Sequence, residues 1–222
     1  AIDDSQVNGI NRLAKLLIVI DGKIVPHYKH FSLQQHSQTH HRFDLTLDHD
    51  TFGEYENHNL ESSNKFLGNR LTVVIRYKDI DDSPERTFVG VITKVGYLQE
   101  HSSLGSIVLS GFSPTILLDG APHTQSFGGE KSVNMSIIAN QLIKEGLGDS
   151  KFDVRISAKD SSDILYSTQY NETHYNYLAR MATAYGEQFY YDGEFLHFGE
   201  LPAQNKPIKL VYGLNVNDIN VE

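Results

Sequence analysis

Residues 166–199 read YSTQYNETHYNYLARMATAYGEQFYYDGEFLHFG, and this stretch divides into a helix and a hairpin. Tyr175, Leu178, Ala182 and Tyr185 recur at i, i+3, i+7 and i+10, which lays an apolar stripe along about three turns of helix. Thr173 and Asn171 are candidate N-caps, and Gly186 stands where a left-handed residue closes a helix, so the pattern predicts a helix over 174–185. Beyond it, Gln188-Phe-Tyr-Tyr and Glu194-Phe-Leu-His-Phe flank Asp192-Gly193, a dipeptide suited to the two positive φ angles of a type I′ turn. A two-residue loop there sets Tyr190 opposite Phe195 and Phe189 opposite Leu196, both apolar cross-strand pairs. The stretch carries no catalytic group of its own. Tyr175, Leu178, Tyr185, Phe189 and Leu196 read as side chains that hold a domain together.

Toward the amino terminus the period changes to two. Residues 16–20 form an apolar run closed by the turn signal Asp21-Gly22, and a long strand is expected over 24–35. Phe43, Leu45 and Leu47 alternate with polar neighbours, as do Leu71, Val73, Ile75 and Tyr77, and further strands are expected over 86–98 and 105–112. The acidic segment 79–84 would turn the chain, and 57–66 is loop or short helix. Five or six antiparallel strands with polar outer faces suggest a small barrel or sandwich. In the middle of the chain Met135, Ile138 and Leu142 keep helical spacing, with Ser132 as cap and Gly146 past the end, which predicts a helix over 133–145. Short strands follow at 152–156 and 164–169, and the tail holds one or two more at 208–212 and 216–221. The fold class is therefore α+β, mainly β: a small antiparallel β-barrel, then an α+β domain with two helices and a β-hairpin.

Composition narrows the function. The chain has 222 residues, 39% of them hydrophobic, enough for one large or two small cores. Nineteen basic against 28 acidic residues give a net charge of -9, which opposes nucleic acid or an anionic membrane as partner. Cysteine is absent, so disulfides and thiolate metal sites are excluded. No apolar run reaches the ~20 residues of a membrane span, and the acidic amino terminus is unlike a signal peptide, so a soluble chain outside the general export route is expected. The initial Ala suggests processing or shortening.

Two motifs in order carry a family resemblance. Phe112-SPTILLDGAPHTQSF-Gly128, then a helix, then 166–199, is similar to the amino-terminal hub region of VgrG, the valine-glycine repeat proteins of type VI secretion. The same region resembles phage late-control D proteins and the hub of contractile phage tails. The likeness covers roughly 112–200, and 15–111 fits the family's first barrel by pattern. It implies a trimeric hub whose barrels form a pseudo-sixfold ring matching a hexameric tube protein of the haemolysin-coregulated type, with baseplate subunits and secreted effectors as further partners. On the other side such hubs continue into an oligosaccharide-binding-like barrel and a needle. The implied domains are 1–112, a first tube-like β-barrel; 113–200, an α+β hub domain; and 201–222, the start of a second, truncated β-barrel in a fragment of a longer protein. The implied location is the bacterial cytoplasm before firing, then delivery by the machine into a target cell.

Catalytic and metal readings compete with this structural one. Ser113 follows Gly111-Phe112 as in a partial nucleophile elbow, and Ser113, Asp119 and His123 run in hydrolase order. The second glycine is missing and the three span eleven residues, whereas triads gather distant loops. Ser113 before Pro114 reads better as an N-cap with proline at the first helical position. The alternative is a small hydrolase, or a carbohydrate-binding module built on Ser113 to His123 or on aromatics around Tyr190 and Tyr191. His36, His40 and His41, with His27 and His30 nearby, raise a zinc site, but on a strand i and i+4 lie about 13 Å apart. Asp48-His-Asp50-Thr-Phe52-Gly53 opens like a calcium loop, yet Phe52 and Asn59 stand where ligands belong. Gly128-Gly-Glu-Lys-Ser132 lacks the spacing of a phosphate loop and reads as a turn. The expectation is no enzyme, no catalytic residue, no metal and no cofactor.

Overall fold

The computed structural model describes residues 14–36, 38–52, 65–77, 85–98, 105–157, 163–199 and 218–221. Its first part is one curled, wholly antiparallel sheet. The strands are β1 (Ala14–Ile20), β2 (Lys23–Ile24), β3 (His30–Gln34), β4 (Arg42–Asp48), β5 (Arg70–Tyr77), β6 (Arg86–Leu98) and β7 (Ser106–Phe112). Across the sheet the order runs β3-β4-β7-β6-β5-β1-β2. The predicted alternation is realised: Phe43, Leu45, Leu47, Leu71 and Val73 are all 0% exposed, beside Phe31, Leu33 and Phe88. Phe43 fits because two strand residues lack a side chain. A Cβ on Gly90 would lie 2.7 Å from its ring, and one on Gly111 would strike both the ring and the Val91 carbonyl. The glycine that resembled a nucleophile elbow is therefore a packing glycine.

The long strand expected over 24–35 is broken. Val25 N–H still donates to Ile18 O at 2.9 Å, but Pro26 has no N–H and the ladder stops there. The tail strand expected over 216–221 is present as Asp218–Val221. Strand Asp218–Val221 pairs antiparallel with β3, Val221 opposite Phe31, so it extends the edge of the first sheet. Residues 201–217, with the strand expected at 208–212, lie outside the described residues, as do 79–84 and 57–64.

The chain clusters into two compact units. One comprises Ala1–His36, His41–Ser113 and Val211–Glu222; the other comprises Pro114–Leu210 together with the four residues Ser37–His40. The second unit begins with a 3-10 turn, Pro114–Leu118, opened by proline as its position predicted. Then come β8 (His123–Asn134), α1 (Met135–Leu147), β9 (Asp153–Ser157), β10 (Asp163–Glu172), α2 (His174–Tyr185), β11 (Gln188–Tyr191) and β12 (Phe195–Gly199), with Asp218–Val221 as β13 closing the list in the first unit. β8 pairs antiparallel with β10, while β12 lies between β11 and a parallel β9.

Helix α1 starts and ends two residues later than its sequence suggested. Residues 128–132 belong to β8, but 129–132 bulge out of its ladder, with Gly128 and Gly129 at positive φ; pairing resumes at Val133 and continues until Asn134 faces Asp163, so no helix can begin earlier. Asn134 then caps it, its side chain accepting from Ser136 N–H at 2.7 Å. Gly146, expected beyond the end, is inside the last turn, where a Cβ would collide with the Leu118 side chain. Helix α2 has the predicted bounds. Thr173 accepts from Asn176 N–H at 3.1 Å, and Gly186 closes it at φ 68, ψ 24. Its buried face differs from the predicted stripe: His174, Tyr177, Leu178, Met181 and Ala182 are buried, Tyr175 is half-buried, and Tyr185 is 45% exposed. Tyr177 goes inside because its hydroxyl meets Ser167 Oγ at 2.6 Å.

The hairpin register is displaced from the expected one. Tyr191 faces Leu196, Tyr190 faces His197 and Phe189 faces Phe198. The cause is the Asp192 carboxylate, whose Oδ1 accepts from Glu194 N–H at 2.8 Å and from Phe195 N–H at 2.7 Å. That bonding makes Asp192 the first residue of the turn instead of its second. The slide is even, so Phe189, Tyr191, Leu196 and Phe198 still share one face.

Candidate functional site

One dense polar arrangement in the second unit gathers around Asp119. Its Oδ2 lies 2.8 Å from His40 Nε2, and its Oδ1 accepts from Thr173 Oγ1 at 2.7 Å. His40 Nδ1 meets Thr115 Oγ1 at 2.7 Å, and the Tyr175 hydroxyl donates to Gln38 O at 3.3 Å. Burial raises the Asp119 carboxyl, but hydrogen bonds from His40 and Thr173, with the charge of His40, hold it below its ordinary value. Both carboxylate oxygens and both ring nitrogens have partners, so the cluster binds residues 38–40 to the 3-10 turn and to the start of α2. Its chemistry is that of a lock.

The three residues that suggested a hydrolase are not assembled as one. Ser113 is 0% exposed; its Oγ accepts from His41 N–H at 2.9 Å and its own N–H donates to His41 O. Asp119 serves His40 and Thr173, and the His123 ring stacks on His174 at 4.3 Å. His174 Nδ1 accepts from Gln169 Nε2 at 2.9 Å, which leaves Nε2 to donate to Glu145 Oε2 at 3.2 Å. Burial and the neighbouring His123 lower the His174 pKa, with Glu145 opposing them. Tyr191, read as an exposed aromatic, is 6% exposed, and Tyr190 stacks on His197 at 4.7 Å.

The suggested histidine cluster also disperses. His40 belongs to the Asp119 lock, and the buried His41 ring donates from Nε2 to His36 O at 3.0 Å. Among the described residues the one grouping with metal-ligand geometry is His27, Asp48 and Asp50, whose ligand atoms lie within 4.8 Å of one another. Lys29 Nζ already sits 3.1 Å from Asp48 Oδ1 and supplies a cation to the same carboxylate. No spacing rule marks His27 as a companion of Asp48, since a strand separates them. Phe52, at a ligand position of the failed calcium loop, packs against Phe66 at 5.4 Å. Among the described residues no helix is long and apolar enough to cross a membrane.

No protein-family model matches the chain, and no curated protein matches it. Solved structures do. The 43 kDa tail protein of prophage MuSo2 from Shewanella oneidensis is 18% identical with a TM-score of 0.60, over 85% of this chain and 54% of that one. The E. coli c3393 protein, a type VI secretion component with structural similarity to T4 bacteriophage tail proteins, is 17% identical with a TM-score of 0.58, over 83% and 48%. The Francisella PdpA–VgrG complex matches at 10% identity and a TM-score of 0.57, over 85% and 32%. The chain thus spans about half the length of the first two. Its fold is that of phage-tail and type VI spike proteins.

Proposed function

We propose that this chain is hub material of a contractile injection machine, acting by assembly and making or breaking no bond in a substrate. The observation that carries the reading is a shared fold with tail and spike proteins across 83% or more of the chain. Residues 1–112 would serve as a tube-like domain and 113–200 as the α+β hub domain. In the longer protein three copies would form a ring that matches a hexameric tube of the haemolysin-coregulated type on one side, continues into the puncturing spike on the other, and meets baseplate subunits. Effectors would travel with it from the cytoplasm into the target cell. The buried Ser113 hydroxyl supports the non-enzymatic reading, because a nucleophile must reach its substrate.

Light scattering on the longer protein, alone and with purified tube protein, tests the proposal. A trimer that binds tube hexamers is expected. A longer protein that stays monomeric and ignores the tube would remove the reading, and so would esterase turnover abolished by Ser113→Ala.

A further inference from the structure

In the first unit, two short segments bring His27, Asp48 and Asp50 together. Val25 N–H closes one ladder at Ile18 O, and Lys29 N–H opens the next by donating to Thr46 O at 2.8 Å, so the link at 26–28 sets His27 beside the end of β4. There the chain folds into a tight turn. Thr51 is buried, and it donates to Asp48 O from its N–H at 3.2 Å and from its hydroxyl at 3.0 Å. The turn carries both carboxylates toward the imidazole: Asp48 Oδ2 and Asp50 Oδ1 each lie 3.9 Å from His27 Nε2. All three ligand atoms fall within 4.8 Å of one another.

At 3.9 Å neither carboxylate makes a hydrogen bond to the ring, and that spacing is close to what a shared ion requires. Ligand atoms on one tetrahedral zinc, about 2.0–2.2 Å from the metal, stand about 3.4 Å apart, so each carboxylate needs to move about 0.5 Å toward His27. The His27 and Asp50 side chains are 52% and 51% exposed, and they can turn that far without disturbing a core. Lys29 holds the far oxygen of Asp48, with Nζ 3.1 Å from Oδ1, and also donates to Ser106 Oγ at 2.7 Å. It offsets one of the two carboxylate charges and leaves the other to attract a cation. The imidazole then selects the cation's class. A nitrogen ligand beside two oxygens suits a first-row transition ion, whereas calcium and magnesium take oxygen ligands.

We propose that His27, Asp48 and Asp50 form a binding site for a divalent transition-metal ion such as zinc, held by Nε2 and by one oxygen of each carboxylate, with water completing its shell. The ion clasps the link before β3 to the turn after β4. The proposal goes beyond the hub reading and does not depend on it, since it rests on side chains of the first unit alone.

The test titrates the tag-free, ¹⁵N-labelled chain with zinc chloride in a buffer that does not chelate metals. Zinc should bind with a Kd below about 100 μM and move the amide signals of 27–29 and 48–51. His27→Ala and Asp50→Asn, both at exposed positions, should each weaken zinc by about tenfold or more while the metal-free thermal melt stays as it was. Calcium and magnesium chloride should bind at least about tenfold more weakly than zinc. Zinc-dependent signals confined to other parts of the chain, zinc affinity unchanged in His27→Ala, calcium bound as tightly as zinc, or no response at all would each overturn the proposal.

Discussion

The two units are held together by different physics. In the first, β4, β5 and β7 bring Phe43, Leu45, Leu47, Leu71, Val73 and Leu109 to one dry face, and every one of them is 0% exposed. In the second, polar side chains enter the core with their partners. Ser167 meets Tyr177, Gln169 meets His174, His174 meets Glu145, and Asp192 holds His197 at 2.6 Å. Burial of apolar area is tolerant of detail, whereas a buried hydrogen bond fixes one geometry and leaves a costly orphan if broken. The first unit is accordingly a general solution to a sheet, and the second a specific one.

Truncating the dry face should give the largest effect. Phe43→Ala removes a ring that fills space kept open by two glycines, and should lower the unfolding free energy by about 3–5 kcal/mol in denaturant melts. A cost under about 1 kcal/mol would mean that the sheet collapses onto the cavity and is not well packed.

Gly146→Ala tests whether tertiary detail outranks local preference in the second unit. In an open helix alanine gains about 1 kcal/mol over glycine. Here the added methyl meets Leu118, so a net loss of about 1–3 kcal/mol is expected. A stabilised variant would show that the contact yields.

Acid should separate the units with the smallest but most selective effect. The His174 pKa is depressed, so the folded state binds protons less readily than the unfolded one; the stability from neutral His174 is present above about pH 6.5 and is lost as pH falls below it toward the lowered value. Burial raises the Asp192 carboxyl, but the Phe195 amide, His197 and the Glu194 amide together hold it low, and Asp119 is lowered as well. Those contributions are lost only below about pH 3.9. Amide exchange, corrected for its intrinsic pH dependence, should therefore quicken in α2 and β10 between pH 7 and 5 while β4 and β7 stay protected. Parallel loss of protection in both units would erase the distinction.

The same contrast decides what could be read in advance. Alternation exposes a one-sided sheet directly, so Phe43, Leu45 and Leu47 were legible, and so were the ends of α2, whose caps are local. The buried face of α2 was not, because Tyr175 and Tyr177 are equally apolar by type and only Ser167, ten residues earlier in the chain than Tyr177, selects between them. The start of α1 depended on a ladder with β10, a partner nearly thirty residues away. Two copies of Asp-Gly make the point most plainly. Asp21 and Gly22 both take positive φ, 48 and 77, and form the expected tight turn, whereas at Asp192-Gly193 only the glycine does, at φ 109. A side chain that accepts two amides and a histidine has overruled the dipeptide. The Asp119 lock is half legible: Asp119 stands in a hydrolase-like order and His40 in a histidine cluster, and neither pattern points to the pair they form.

Residues Ser37–His40 count with the second unit although the chain on either side of them counts with the first. No single cut therefore separates the two. A segment started at Pro114 would leave behind the imidazole that Asp119 and Thr115 hold. In the language of gene exchange, the second unit is not a cassette: recombination at one boundary would deliver it without its own strap.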